Sequence, residues 1–496
     1  ANTSMPIEMI KGAGEYYEYT KSLGEEEAKK LGTEKFLEMV GLEAPDDYTL
    51  IYHCVDKLSY FPSVACYNCL APLSAKLIEE IGVDGYFGAD YTTMWYNGPY
   101  TCSEYIYQNE KVLSKNEAYW NKDNVKLFDT VTIKMVESAD VAFQWFSAGD
   151  LDYIDLNQAN LSTIYNNEGN EFHGNLVEAR PTKYSYQMHF CWDKKNEDGS
   201  ADTNWNTAIA NENFRLALYY GLDITDYLAR TNFIHPLSCQ NYCYTANAVS
   251  VNSEGKDYTQ MVRDELGLQY DSEKFVRRDE TKAAEYKAKA IKELTAAGVE
   301  LPVKMTHYIM GSNQTAKDSA DTLAQIISDC LGDDLVVLEI RTYVSKLNTE
   351  VRDPQLASIY INGWGADFAD PVNFLGQETS GDDNAYYSKA YSKINNATDE
   401  KLIATYKEFT DMVNTAKAIT DDLDARYAAF AKAEAFWIQH ALTIPWSYEV
   451  TWKVTSINEY SKIYTAYGNQ GERYVNWETN SDLYTTEDYE AIKAGK

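Results

Sequence analysis

The spacing of apolar residues changes character several times along the chain. Residues 1–45 are polar and rich in Glu and Lys, with helical spacing over 25–40 that ends at Gly41. From Asp47 the period drops to two, and Tyr48-Thr-Leu-Ile-Tyr-His-Cys-Val55 reads as a strand, followed by a helix over 74–81. Between 100 and 192 short strands dominate, at 100–107, 111–114, 130–136, 151–156 and 184–191. One helix interrupts them over 140–148, with Gly149 placed to cap it. A helix between two strands is the order of a β-α-β unit, so this region predicts an α/β lobe.

After Asn211 the 3.6-residue period returns, over 214–222 and 283–297, where Ala283, Tyr286, Ala290, Ile291, Leu294 and Ala297 share a face. A strand at 303–308, a helix at 315–331 and strands at 335–340 and 357–362 then alternate as in a mostly parallel, doubly wound sheet. Helices over 401–416 and 422–441 close this second lobe, with stripes of Leu402, Tyr406, Phe409, Val413 and of Leu423, Tyr427, Phe430, Trp437. The tail from Leu442 is strand-like, and the most economical topology returns it to the first lobe. The expected fold class is α/β: two hinged lobes with mostly parallel or mixed sheets flanked by helices. Two lobes joined by more than one crossing segment leave a cleft that closes on a solute.

Composition narrows the function. A chain of 496 residues exceeds what one core serves. Its 76 acidic residues against 44 basic ones, net −32, repel phosphate backbones and favour amine-bearing solutes, so no nucleic-acid partner is expected. No run approaches the ~18 apolar residues of a membrane span. Glu8, Lys11, Glu15 and Glu18 stand where a leader would need apolar residues; the chain begins at Ala1, and a leader or anchor ahead of it is expected to have been lost. The 41 tyrosines, with 16 Phe and 10 Trp, supply rigid rings with polar tips, suited to gripping varied ligands.

Eight cysteines are too sparse for a disulfide scaffold. Cys66 with Cys69, and Cys239 with Cys243 near His235, have spacings a metal could use, but neither is matched by a second motif, so neither a metal nor a cofactor is expected. There is no Gly-x-Ser-x-Gly elbow, no His-Glu-x-x-His and no phosphate loop, and the six histidines are scattered. A secreted hydrolase is thereby disfavoured, and no catalytic residue is assigned.

Five stretches in order resemble the oligopeptide- and dipeptide-binding proteins of ABC importers, the large three-domain class of solute-binding proteins. They are Asn97-Gly-Pro-Tyr100; Lys115-Asn-Glu-Ala-Tyr-Trp120; Ala142 to Asp152, ending Ser-Ala-Gly-Asp-Leu-Asp; Asn213-Phe-Arg-Leu-Ala-Leu-Tyr-Tyr-Gly-Leu-Asp223; and Gly363-Trp-Gly-Ala-Asp-Phe-Ala-Asp-Pro371. The match runs from about 45 to 477. The resemblance implies a periplasmic-binding-protein-like fold divided into part of an accessory domain (1–97), a first lobe (98–210), a second, closing lobe (211–443) and a return to the first lobe (444–496). It implies a monomeric receptor outside the cytoplasm, lipid-anchored through a missing N-terminus, that binds short peptides and delivers them to a membrane permease; the same fold binding an oligosaccharide or another small solute is the alternative.

The cleft segment supplies the candidate ligand-binding residues Asp367, Trp364, Gly363, Gly365, Ala366 and Phe368. A carboxylate in a closed, drier cleft makes a strong charge-assisted bond to an ammonium, and the resemblance assigns that role to Asp367. Asp370, ahead of Pro371, better fits a helix cap. Trp364 offers a flat wall, and the flanking glycines let a main chain approach. Some family members place an arginine three residues before this Trp to take a short peptide's carboxylate; Ile361 stands here, which favours longer or differently held ligands.

Overall fold

The computed structural model describes residues 4–28, 30–136, 138–382, 385–469 and 472–495. The chain opens with helices at Ser4–Met9 and Ala13–Ser22, and the helix expected over 25–40 forms as two pieces, Glu25–Ala28 and Thr33–Met39. Gly32, extended at φ −79° and ψ 171°, restarts the second piece. The strand expected near 48–55 is shorter: β2 (Thr49–Tyr52) pairs antiparallel with β1 (Leu42–Asp46). Strands β3 (Tyr100–Ile106), β4 (Glu110–Lys115) and β5 (Thr130–Lys134) form an antiparallel meander.

The helix expected over 140–148 is present at Ala139–Ser147, capped by the Ser138 hydroxyl, and leads to β6 (Tyr153–Leu156). The β-α-β reading fails here, because β5 and β6 lie in different sheets. β6 and the short β7 (Val177–Glu178) instead flank a strand from the far end of the chain, as given below. Periodicity identifies a strand but not its partner.

β8 (Tyr184–Phe190), β9 (Val303–Met310), β10 (Val336–Tyr343), β11 (Ile359–Gly365) and β12 (Thr443–Tyr448) build one mixed sheet in the order β10-β9-β11-β8-β12. β9, β10 and β11 run parallel, as the alternation of strand and helix predicts, while β8 is antiparallel to both its neighbours. Helices Gln314–Leu331, Glu400–Lys417 and Leu423–Gln439 contribute to its core with Leu323, Ile327, Phe409, Phe430 and Trp437. The last strand, β13 (Trp452–Thr455), completes the β6-β13-β7 sheet. Phe146, Ile154, Leu161, Ile164, Trp452 and Val454 form a separate core there. The fold is thus α/β with two lobes and mixed sheets, as expected.

The boundaries shift relative to the sequence reading. The strand at 184–190, assigned above to the first lobe, is hydrogen-bonded on both edges inside the second lobe's sheet, and β12, assigned to the return, lies beside it. The chain crosses between the sheets just before β8 and just after β12. There the two crossings run side by side, with the Ala179 N–H donating to Thr451 O and the Thr182 N–H to Glu449 O, both at 2.9 Å. β8 was misplaced because its apolar alternation is satisfied by strands far away in sequence.

Candidate functional site

β11 ends at this crossing. Its register sets Trp364 opposite Ser185 and Gly363 opposite Tyr186. Beyond Gly365 the chain leaves the sheet, and Ala366 bridges to Tyr467 of the C-terminal tail, where the Gly468 N–H donates to Ala366 O at 2.9 Å. Lys183, on the crossing segment, ties the same place together: its ammonium donates to Gly468 O at 2.6 Å and to Ala366 O at 3.4 Å.

Asp367 sits half-buried at this junction. Its backbone N–H donates to Asn373 Oδ1 at 2.9 Å, and the Asn373 amide lies 3.5 Å from its carboxylate. The Tyr67 hydroxyl, from the N-terminal segment, also donates to that carboxylate. Burial pushes the Asp367 carboxyl above its ordinary value, while the bonds from Asn373 and Tyr67 and the charge of Lys183 pull it partway back. Burial lowers the Lys183 ammonium, opposed by Asp367. The result is a carboxylate held by oriented donors and deprived of much of its water.

Trp364 is half-buried, with its indole N–H donating to Asn373 Oδ1 at 2.9 Å. Beside it stand Tyr386, at 5.9 Å between ring centroids and 41% exposed, and the buried Tyr387, at 6.0 Å. Tyr387 donates to Gly363 O at 3.1 Å and stacks on His189 at 4.4 Å, which fixes its plane. Tyr184 and Tyr186, 6.5 Å apart, project from the other face of the sheet, over Gly365 and Gly363. Trp364, Tyr386 and Tyr387 make a partly open aromatic wall.

The other candidates fall differently. A Cβ on Gly363 would lie 3.0 Å from the Tyr186 ring, and one on Gly365 2.8 Å from the Lys183 side chain. The space these glycines leave is therefore filled by β8 and the crossing segment, not held open for a ligand. Ala366 is fully buried, and Phe368, 5% exposed, stacks on Tyr60 at 4.8 Å within a cluster of Met5, Met9 and Val64. Both fasten the loop to its neighbours. Asp370 is fully buried, paired with Arg426 through two bonds of 2.8 and 2.9 Å, and accepts the Val372 N–H at 3.0 Å. Its capping role was readable; the arginine was not.

Sequence reasoning missed Lys183, Tyr67, Asn373 and Tyr386. Only Asn373 left a local signal, as a short polar residue in the first turn after Asp370-Pro371. Among the described residues no group of three or more His, Cys, Asp or Glu is placed to hold a metal, and the eight cysteines are unbridged. A cavity of about 580 Å³ lies elsewhere, between β5 and β6, lined by Phe128, Ile133, Lys134, Asp155, Tyr474 and Trp477 among others. It carries none of the residues around Asp367, and polar and apolar groups share its walls.

Two lobes, paired crossings and an anchored carboxylate beside an aromatic wall describe a binding protein of the solute-capturing kind. The family model described as bacterial extracellular solute-binding proteins, family 5 Middle, matches residues 9–386, and the chain belongs to that family. It is 27% identical over 443 residues to the oligopeptide-binding protein SarA of Streptococcus gordonii, covering 84% of this chain and 65% of SarA. It is 24% identical over 477 residues to the oligopeptide-binding protein AliB of Streptococcus pneumoniae, covering 91% of this chain and 72% of AliB. Among solved structures, Listeria monocytogenes OppA bound to peptide superposes with a TM-score of 0.62 at 18% identity, over 97% of this chain and 80% of OppA, a likeness of fold. Among the described residues no helix is long and apolar enough to cross a membrane.

Proposed function

We propose that this protein is a monomeric receptor outside the cytoplasm that captures short peptides between its lobes and hands them to an ABC importer, without chemistry on the ligand. The observation that carries the reading is Asp367: a half-buried carboxylate, oriented by Asn373 and Tyr67, at the junction of the crossing segment, β11 and the C-terminal tail. A peptide's ammonium would add a charge-assisted bond to it, while Trp364 and Tyr386 would pack against main chain or side chains without selecting a sequence. Kinship to oligopeptide-binding proteins of streptococci supports the same ligand class. The lobes in this reading comprise 182–449 on one side, and 138–181 with 450–495 on the other, opening about the paired crossings.

Native mass spectrometry of the freshly purified protein tests the ligand class. Adducts with the masses of peptides of a few residues are expected; a ladder spaced by hexose units would replace peptide by oligosaccharide.

A further inference from the structure

Helix Thr225–Ala229 and the 3-10 turn Pro236–Cys239 belong to the second lobe: Leu228 and Cys239 lie in its core, and Arg230 pairs with Asp318 of helix Gln314–Leu331 at 3.0 Å. The segment between them reaches across to the first lobe. Phe233 and Ile234 pack against the core that contains Ile164 and Trp452, and Phe233 meets the Tyr165 ring edge-on at 5.6 Å. Asn232 is fully buried where the two lobes meet.

Both ends of the Asn232 amide are fully engaged. Its nitrogen donates to Glu178 Oε1 at 2.9 Å and to Ser238 Oγ at 3.0 Å, and its oxygen accepts the Trp452 indole N–H at 2.9 Å and the His235 backbone N–H at 3.0 Å. Ser238 and His235 are partners from its own lobe. Glu178 and Trp452 are first-lobe residues, set opposite each other in the register of β7 and β13. Ser238 Oγ also donates to Glu178 Oε1 at 3.0 Å, and the His235 ring lies 3.1 Å from Oε2, so the second lobe grips both oxygens of that carboxylate.

We propose that Asn232 is the pivot of lobe closure: with Glu178 and Trp452 it makes a contact, beside the paired crossings, that confines the lobes to one swing and keeps the halves of the cleft in register. The proposal rests on the reading of the protein as a receptor that closes on its ligand. Position carries the argument. Glu178 immediately precedes Ala179 and Trp452 immediately follows Thr451, the residues whose 2.9 Å bond pairs the crossings. Atoms this close to the crossings move little when the lobes open, so the contact survives the swing that separates the cleft walls. Two strands alone, absorbing the motion in their backbone dihedrals, let the lobes twist as well as bend. Side chains of a directly opposed pair leave the same face of a sheet, so Asn232 sits over that face rather than in line with the strands. An attachment placed there, with a directional bond to each strand, resists the twist. A cleft whose halves twist out of register is unable to close for part of the time, and apparent affinity falls by that fraction.

The test uses the full chain with p-acetylphenylalanine, each carrying a nitroxide, in place of the exposed Glu168 of the first lobe and Glu408 of the second. Double electron–electron resonance reads the distribution of distances between the labels, calorimetry reads the affinity for tetra-alanine, and urea unfolding checks that each variant folds. Asn232→Asp sets a carboxylate against Glu178 and opens the contact. Expected are a ligand-free distribution broader than that of the wild type and an affinity about three- to tenfold lower. Adding Glu178→Gln restores a donor–acceptor pair with the roles exchanged, and should narrow the distribution again. If Asn232→Asp does not fold, Glu178→Ala, which removes only the first lobe's acceptor, should broaden the distribution in the same sense. A distribution as narrow as the wild type's in these single variants, or a double variant as broad as Asn232→Asp, would overturn the proposal. If tetra-alanine gives the wild type neither a calorimetric signal nor a shift in distance, the receptor reading fails on its own, and the ligand-free breadths still decide whether Asn232 confines the lobes.

Discussion

Trp364 and Asp367 are hydrogen-bonded to the same atom: the indole N–H of one and the backbone N–H of the other both reach Asn373 Oδ1 at 2.9 Å. One side chain on the short helix Val372–Leu375 thus fixes the wall and the charge of the site relative to each other. A ligand held by both would meet a preorganised pair and lose less on ordering them.

Asn373→Ala removes that shared acceptor and leaves two donors with poorer partners. It is expected to cost about 1–3 kcal/mol in urea unfolding and to weaken binding of tetra-alanine.

Because burial raises the Asp367 carboxyl, amine capture should fade on acidification at a higher pH than an ordinary carboxylate, near 4, would allow. The sign for folding is opposite. A carboxyl raised in the folded state contributes stability below its unfolded pKa and loses it as pH rises through the folded value, so ionised Asp367 works against folding at neutral pH. Calorimetric titrations between pH 4 and 7 should show falling affinity on acidification for tetra-alanine but not for N-acetyl-tetra-alanine.

The two aspartates of this loop should behave as opposites. Asp370 is paired with Arg426, which also donates to Lys417 O and Ile419 O at the end of helix Glu400–Lys417. Removing one member of a buried pair strands the other, so Asp370→Ala is expected to lose about 3–5 kcal/mol in urea unfolding. Asp367→Asn, which relieves a desolvated charge and can keep its neighbours' hydrogen bonds, should leave stability unchanged or raised.

Local signals carried the long helices well. Gln314–Leu331, Glu400–Lys417 and Leu423–Gln439 begin where Asn313, Asp399 and Asp422 accept a first-turn N–H, and the first ends at Gly332. Strand β1, Leu-Glu-Ala-Pro-Asp, has no usable alternation and was missed. Tyr184–Phe190 was recognised as a strand but given to the wrong lobe, since its partners β11 and β12 lie far along the chain. The site divides in the same way. Trp364 and Asp367 stand together in one sequence motif, whereas Lys183 and Tyr67 come near Asp367 only through tertiary folding, and no local pattern marks them.

The measurement that bears most directly on the whole account is a calorimetric titration of tetra-alanine and its N-acetylated form into the wild type and Asp367→Asn at neutral pH. The account predicts that the variant loses about 2–5 kcal/mol for the free-amine peptide, and that both proteins bind the acetylated peptide with similar weakness. Equal affinity of wild type and variant for tetra-alanine would contradict it.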